Sequence, residues 1–108
     1  MSEPDEGNDP PGDEASADDA LVRDIVIVNQ KGLHARASAK FVQMVEKFNA
    51  EVRVSRGGER VGGTSIMGLM MLAAGPGTTI TVAATGTEAA QVIEALAALV
   101  SGRFMEDG

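Results

Sequence analysis

The order of strands and helices is clearest in residues 25–63, which read IVIVNQKGLHARASAKFVQMVEKFNAEVRVSRGGERVGG. The first part, Ile25–Val28, is a β-branched run that predicts a strand. Between Ala35 and Phe48 the apolar side chains recur at the spacing of one helix face. That face consists of Ala37, Phe41, Met44, Val45 and Phe48. We therefore predict a strand that is followed directly by a helix.

A β-hairpin is predicted after this helix. Val52 and Val54 alternate with polar residues, as in a strand that buries one face. Gly57 and Gly58 then supply two consecutive residues that tolerate positive φ, which a two-residue hairpin turn requires. The returning strand is predicted over Glu59–Gly63.

The rest of the chain predicts two more helices and one more strand. Ser65–Leu72 is an apolar, Met-rich segment that we assign to a short helix, and Thr79–Ala84 alternates like a strand. Thr87 is predicted to cap a final helix that ends near Gly102. The simplest packing of this β-α-β-β-α-β-α order is an α+β fold, in which two long helices and one short helix cover one face of a four-stranded antiparallel sheet. The apolar stripe of the final helix contains Ala89, Val92, Ile93, Leu96, Leu99 and Val100.

The charge of the chain is concentrated at its N-terminus. Residues 1–20 contain eight acidic and no basic residues, so the net charge of −7 leaves residues 21–108 at +1. A segment with so few apolar residues cannot bury enough surface to offset the entropy of ordering. We therefore predict a disordered acidic tail over residues 1–20 and one folded domain over residues 21–108.

Composition excludes several classes of protein. No run of about 18 apolar residues predicts a membrane span, and the acidic N-terminus has no secretory signal, so we expect a cytoplasmic protein. The chain has no Cys and one His, which argues against a metal site, and no cofactor-binding motif is present. The absence of Trp and Tyr and the small domain charge argue against nucleic acid as a partner.

The only histidine, His34, lies at the predicted start of the first helix. The positive end of a helix dipole disfavours the imidazolium form, so the ring keeps the lone pair that a nucleophile needs. Unpaired backbone N–H groups at the same place bind anions, and Arg36 adds a guanidinium suited to phosphate oxygens. Gly32 would allow the tight turn before His34. No carboxylate lies near His34 in the sequence, so the pattern favours transfer of an anionic group over hydrolysis; a surface histidine of no special role is the alternative.

The short helix is the second candidate site. Helical spacing predicts that Leu69 and Leu72 face the core, while Ile66, Met67 and Met70 form an exposed patch that could dock partners. Met side chains that fill gaps in the core are the alternative. Ser65 could be a helix cap or a phosphorylation site, where added negative charge would weaken docking.

Basic residues are frequent around the first helix. Lys31, Arg36, Lys40 and Lys47 are opposed only by Glu46. A solvated helix face explains such a pattern, but the same charge would favour acidic protein partners, and we include Lys40 among the predicted partner-binding residues.

Two motifs resemble those of the HPr family, the phosphocarrier proteins of the bacterial phosphotransferase system. GLHARASAKF at residues 32–41 is similar to the family's active-site signature, and SIMGLM at residues 65–70 is similar to its regulatory-serine segment. The resemblance covers about residues 21–100. Ala37 stands where most members have Pro, and Thr64 stands where a basic residue or Asn is usual.

The resemblance implies an open-faced β-sandwich fold, a monomer, and a carrier rather than an enzyme. It implies that His34 takes a phosphoryl group from phosphorylated Enzyme I, on the ring nitrogen nearer the backbone, and passes it to an EIIA-type protein. Arg36 would stabilise the phosphate, Ser65 would be the target of HPr kinase/phosphorylase, and Ile66, Met67 and Met70 would dock partners. The amino-acid sequences of the two motifs resemble those of alphaproteobacterial members more than those of enteric sugar-transport members. This resemblance favours a nitrogen-related regulatory role over sugar uptake.

The sequence is also compatible with two further classes of function. A protein-interaction module switched by phosphorylation would use the same exposed patch without needing His34. A hydrolase with His34 as its base is the third hypothesis.

Overall fold

The computed structural model describes residues 20–106, so the predicted acidic tail lies, apart from Ala20, outside the described residues. The strands are β1 (Leu21–Val26), β2 (Glu51–Arg56), β3 (Glu59–Gly62) and β4 (Thr79–Thr85). The helices are α1 (Ala35–Val45), α2 (Ile66–Met71) and α3 (Ala89–Ser101), followed by a 3₁₀ turn at Arg103–Met105. The predicted element order is confirmed, and the C-terminal turn is an addition to it.

The four strands form one antiparallel sheet in the order β1-β4-β2-β3. Val54 pairs with Val82 of β4 on one side and with Val61 of β3 on the other. Because side chains alternate between the faces of a sheet, Val52, Val54 and Val82 all point to the covered face, where they are buried. The opposite face carries residues such as Arg53 and is left uncovered, as predicted for this α+β fold.

The apolar helix stripes predicted from the sequence build the core. Phe41 of α1 and Leu96 of α3 are fully buried, and Leu69 and Leu72 are buried as expected from the spacing of the short helix. α1 ends at Val45, three residues earlier than predicted, because the next two hydrogen bonds, Lys47 N to Met44 O and Phe48 N to Val45 O, span only three residues.

Further element ends differ from the predictions, and tertiary contacts explain the start of β1 and the cap of α3. β1 begins at Leu21, since Leu21 pairs with Ala84 of β4, and it ends at Val26 rather than Val28. Thr87 is not the cap of α3. Glu88 occupies the cap position, and the Thr87 hydroxyl accepts a hydrogen bond from the Asn49 side chain at 3.0 Å instead.

The C-terminal turn has an unusual backbone. Arg103, Phe104 and Met105 all have positive φ angles, between 54° and 61°, although none of them is glycine. Left-handed backbone of this kind costs on the order of 1–2 kcal/mol for each non-glycine residue. Phe104 is fully buried in the core, and this burial offsets the cost.

Candidate functional site

His34 is placed at the junction between the loop after β1 and the start of α1, as predicted. It is the N-cap residue of α1, with extended backbone (φ −75°, ψ −177°), and its carbonyl accepts the first helical hydrogen bond from Ser38 N at 2.8 Å. Its side chain makes no capping bond, and 27% of that side chain is exposed. The ring is therefore fixed at its base and reachable from solvent.

The loop that presents His34 is anchored on both sides. Leu33 is buried, its N–H donates to Ala74 O at 3.0 Å, and its carbonyl accepts from the buried Ser38 hydroxyl at 3.1 Å. Gly32 has φ +62°, and a Cβ there would lie 2.2 Å from Ala74 O. The prediction that Gly32 permits a tight turn is confirmed, and the close approach to Ala74 adds a second reason for glycine.

A carboxylate that the sequence did not indicate stands against the imidazole. Glu106, 72 residues further along the chain, makes a side-chain hydrogen bond with His34 Nε2. Its other oxygen accepts a 3.2 Å hydrogen bond from Nδ2 of Asn29, which is fully buried and also donates to Gly32 O at 2.9 Å. Nothing local in the sequence pairs these residues, because only the tertiary fold brings the C-terminal turn to α1.

The hydrogen bond with His34 lowers the pKa of the Glu106 carboxyl below its ordinary value, and it outweighs desolvation by burial, which alone would raise this pKa. The hydrogen bond from Asn29 and the positive charge of Lys31 act in the same direction as His34. Because the folded-state pKa is depressed, the contact stabilises the fold above the unfolded-state pKa and loses this effect as the pH falls through the folded one.

The two basic residues of the predicted site are placed differently from each other. Arg36 lies in the first turn of α1 with an exposed side chain, two residues after His34. Lys40 is only partly exposed, and its Nζ donates a 2.6 Å hydrogen bond to Phe104 O in the C-terminal turn. Lys40 thus contacts the turn that carries Glu106.

Ser65 and the exposed patch lie on α2. Ser65 is the N-cap residue, and its hydroxyl accepts a 2.9 Å hydrogen bond from Gly68 N. Ile66, Met67 and Met70 are exposed as expected, Met67 to 73%. Met71, which is not among the predicted docking residues, is as exposed as Met67.

The two motifs meet at a shallow cleft of about 290 Å³. His34 and Lys31 line one side of this cleft, and Met70 and Gly75 line the other. The histidine and the apolar patch therefore form one continuous surface, although more than 30 residues separate them in the chain.

Residues 21–102 match the family described as "PTS HPr component phosphorylation site". The chain belongs to the HPr family. A Phosphocarrier protein HPr of Cupriavidus necator is 49% identical over 86 residues, which cover 80% of this chain and 97% of the relative. A Phosphocarrier protein NPr of Shewanella violacea is 38% identical and covers 80% of this chain and 94% of the relative. A crystal structure of HPr from Thermoanaerobacter tengcongensis superposes with a TM-score of 0.77 at 35% identity, covering 82% of this chain and 99% of that one.

Membership of the HPr family confirms the resemblance and the open-faced α+β fold predicted from the sequence. At the level of the family, the chain is a phosphocarrier of the phosphotransferase system and not a catalyst in itself. None of the helices within residues 20–106 is long and apolar enough to cross a membrane.

Proposed function

We propose that this HPr-family chain accepts a phosphoryl group on His34 from phosphorylated Enzyme I and passes it to an EIIA-type protein. The observation that carries the proposal is the placement of His34, a partly exposed imidazole fixed at the N-cap of an eleven-residue helix. In the transfer, a ring nitrogen forms a bond to phosphorus while the bond between phosphorus and the donor atom breaks. The donor atom keeps the electron pair.

The start of α1 suits the phosphoryl group that His34 would carry. Helix geometry leaves the N–H groups of Ala35, Arg36 and Ala37 without an intrahelical acceptor, and the helix dipole adds positive potential there. The Arg36 guanidinium can donate two parallel hydrogen bonds to phosphate oxygens. These groups favour the phosphorylated state without adding a hydrolytic base to the exposed side of the ring.

The partner-docking surface is proposed to be the apolar patch of α2 together with the cleft beside His34. Ile66, Met67 and Met70 expose flexible apolar side chains next to the phosphoryl-accepting ring, so one surface can serve both the donor and the acceptor protein. Lys31, Arg36 and Lys40 give this region a positive charge that favours acidic partners.

We propose nitrogen-related regulation as the output, with sugar uptake as the alternative. We expect the phosphorylated chain, prepared with Enzyme I and phosphoenolpyruvate, to transfer its phosphoryl group faster to a nitrogen-type EIIA than to a sugar-type EIIA. Loss of label from the carrier, followed over time with each acceptor, measures this preference. Faster transfer to the sugar-type acceptor would favour sugar uptake, and failure of His34 to take label would overturn the carrier function itself.

Ser65 is proposed as a regulatory phosphorylation site for HPr kinase/phosphorylase. It is exposed, and a phosphate on Oγ would lie at the start of α2, where the N–H of Gly68 already donates to this oxygen. The added negative charge would adjoin Met67 and weaken docking of acidic partners. We expect mass spectrometry after treatment with ATP and the kinase to find the phosphate on Ser65 and not on the buried Ser38; an unmodified Ser65 would contradict the proposal.

We further propose that the folded unit extends over residues 21–108, that it acts as a cytoplasmic monomer, and that its partners are proteins. The family match over residues 21–102 supports the beginning of this unit.

A further inference from the structure

The C-terminal turn brings Glu106 to His34 through several independent contacts. Phe104 is fully buried, and its carbonyl accepts the 2.6 Å hydrogen bond from Lys40 Nζ. Asn29 Nδ2 donates to one oxygen of Glu106, and the other oxygen contacts His34 Nε2. Only 14% of the Glu106 side chain is exposed. The carboxylate is thus held in place by the fold on the side of Nε2.

This contact determines which ring nitrogen carries the proton. An ionised carboxylate can only accept hydrogen bonds, so the group that faces it must be a donor. The lowered pKa of Glu106 keeps it ionised at neutral pH. A neutral imidazole has one N–H, so a proton on Nε2 leaves the lone pair on Nδ1.

We propose that Glu106 is a positioning residue for phosphoryl transfer, which holds the proton of His34 on Nε2 and so presents the Nδ1 lone pair to phosphorus. This inference rests on the proposed function of His34. It adds a residue from the far end of the chain to the site, and that residue acts only through the histidine.

The carboxylate also matches the charge that develops during transfer. When Nδ1 forms its bond to phosphorus and the donor bond breaks, the ring retains its Nε2 proton and becomes a phosphorylated imidazolium. The positive charge of that ring then faces the negative charge of Glu106. An aspartate beside the histidine of serine proteases acts in the same way, because it fixes the tautomer and stabilises the imidazolium without taking the proton.

Asn29 supports the carboxylate from the interior. Its amide nitrogen joins Gly32 O to Glu106, so the loop before His34 and the C-terminal turn share one buried donor. Because Gly32 O and an ionised Glu106 can only accept hydrogen bonds, the amide nitrogen must face both of them, and within residues 20–106 the buried Oδ1 is left without a partner.

The first test measures the tautomer and requires no partner protein. Long-range ¹H–¹⁵N correlation spectra distinguish a protonated from an unprotonated ring nitrogen, at a pH where the ring of His34 is neutral. We expect the wild-type chain to show Nε2–H alone and Glu106→Ala to show a mixture of both tautomers. Glu94→Ala is the matched control, because Glu94 is also an acidic residue in an ion pair, but it lies exposed on α3 and contacts Arg23 of β1. A Glu106→Ala spectrum identical to the wild-type spectrum would overturn the inference.

The second test measures the rate at which phosphorylated Enzyme I labels His34. We expect Glu106→Ala to lower this rate about tenfold, as for the loss of one hydrogen bond to a charged group. Glu106→Gln should recover part of the rate, because its side-chain oxygen can still accept from Nε2–H, and Glu94→Ala should match the wild type. An unchanged rate in Glu106→Ala overturns the inference and leaves His34 as the carrier. A wild-type chain that has the Nε2–H tautomer but takes no label overturns the proposed function and supports the hydrogen bond.

Discussion

Replacing His34 with alanine is expected to abolish labelling of the chain by Enzyme I and phosphoenolpyruvate. His34 is the only histidine, and the chain has no cysteine, so no other side chain offers an unprotonated nitrogen or a thiolate of comparable nucleophilicity. The measurement is acid-labile phosphate on the protein, which is a property of a phosphorus–nitrogen bond. The fold should be unaffected, because the His34 ring is partly exposed and does not cap α1.

A second variant separates the carrier from an interaction module. Met67→Asp places a charge in the apolar patch at a side chain that is 73% exposed, so docking of Enzyme I should weaken without loss of folding stability. If the chain is a phosphocarrier, we therefore expect slow labelling of the Met67→Asp variant and no labelling of the His34→Ala variant. Undiminished acid-labile label in His34→Ala would contradict the proposed function. If the His34→Ala variant still binds partners and Enzyme I does not phosphorylate the wild-type chain, the function as a protein-interaction module is favoured instead.

Replacing Phe104 with alanine is expected to lower the free energy of unfolding by about 3 kcal/mol, at the low end for a buried Phe→Ala change. Phe104 is fully buried, but it also holds the left-handed backbone of the C-terminal turn, and release of that backbone strain recovers part of the loss. Urea denaturation at neutral pH measures the difference. The same variant should loosen Glu106 from His34, since Phe104 anchors the turn that carries it.

The control for this change is Met105→Ala in the same turn. Met105 also has positive φ, but its side chain is 73% exposed, so its loss should change the free energy of unfolding by less than about 0.5 kcal/mol. If Phe104→Ala proves no more destabilising than Met105→Ala, the C-terminal turn is not packed on the core as described.

Local sequence patterns were sufficient to predict most of the fold. The apolar stripes of α1 and α3 mark the helix faces that are buried, and Gly57 and Gly58 form the β2–β3 turn with φ angles of 55° and 88°. The exposure of Met67 and the burial of Leu69 also follow from helical spacing. In each case the residues that support the prediction lie within the predicted element itself.

What the sequence could not predict depends on contacts between distant segments. Glu106 reaches His34 only because α3 ends beside α1, and no spacing rule relates residues 72 positions apart. The left-handed turn could not be predicted either, because L-residues other than glycine rarely adopt positive φ and because the contacts that stabilise it, such as the burial of Phe104 and the hydrogen bond from Lys40, come from distant segments. The start of β1 at Leu21 likewise depends on pairing with β4.

The strand order has a consequence for how this protein folds as it is synthesised. Within residues 20–106, β1 pairs with β4 alone, β4 is the last strand in chain order, and β4 also separates β1 from β2. A nascent chain that ends before residue 79 can therefore form the β2–β3 hairpin and the first helix but cannot attach β1 to a sheet. Formation of the complete sheet therefore waits for a long-range pairing between β1 and β4, and pairing of this kind slows folding because the entropy of closing the intervening loop is lost before the contacts form.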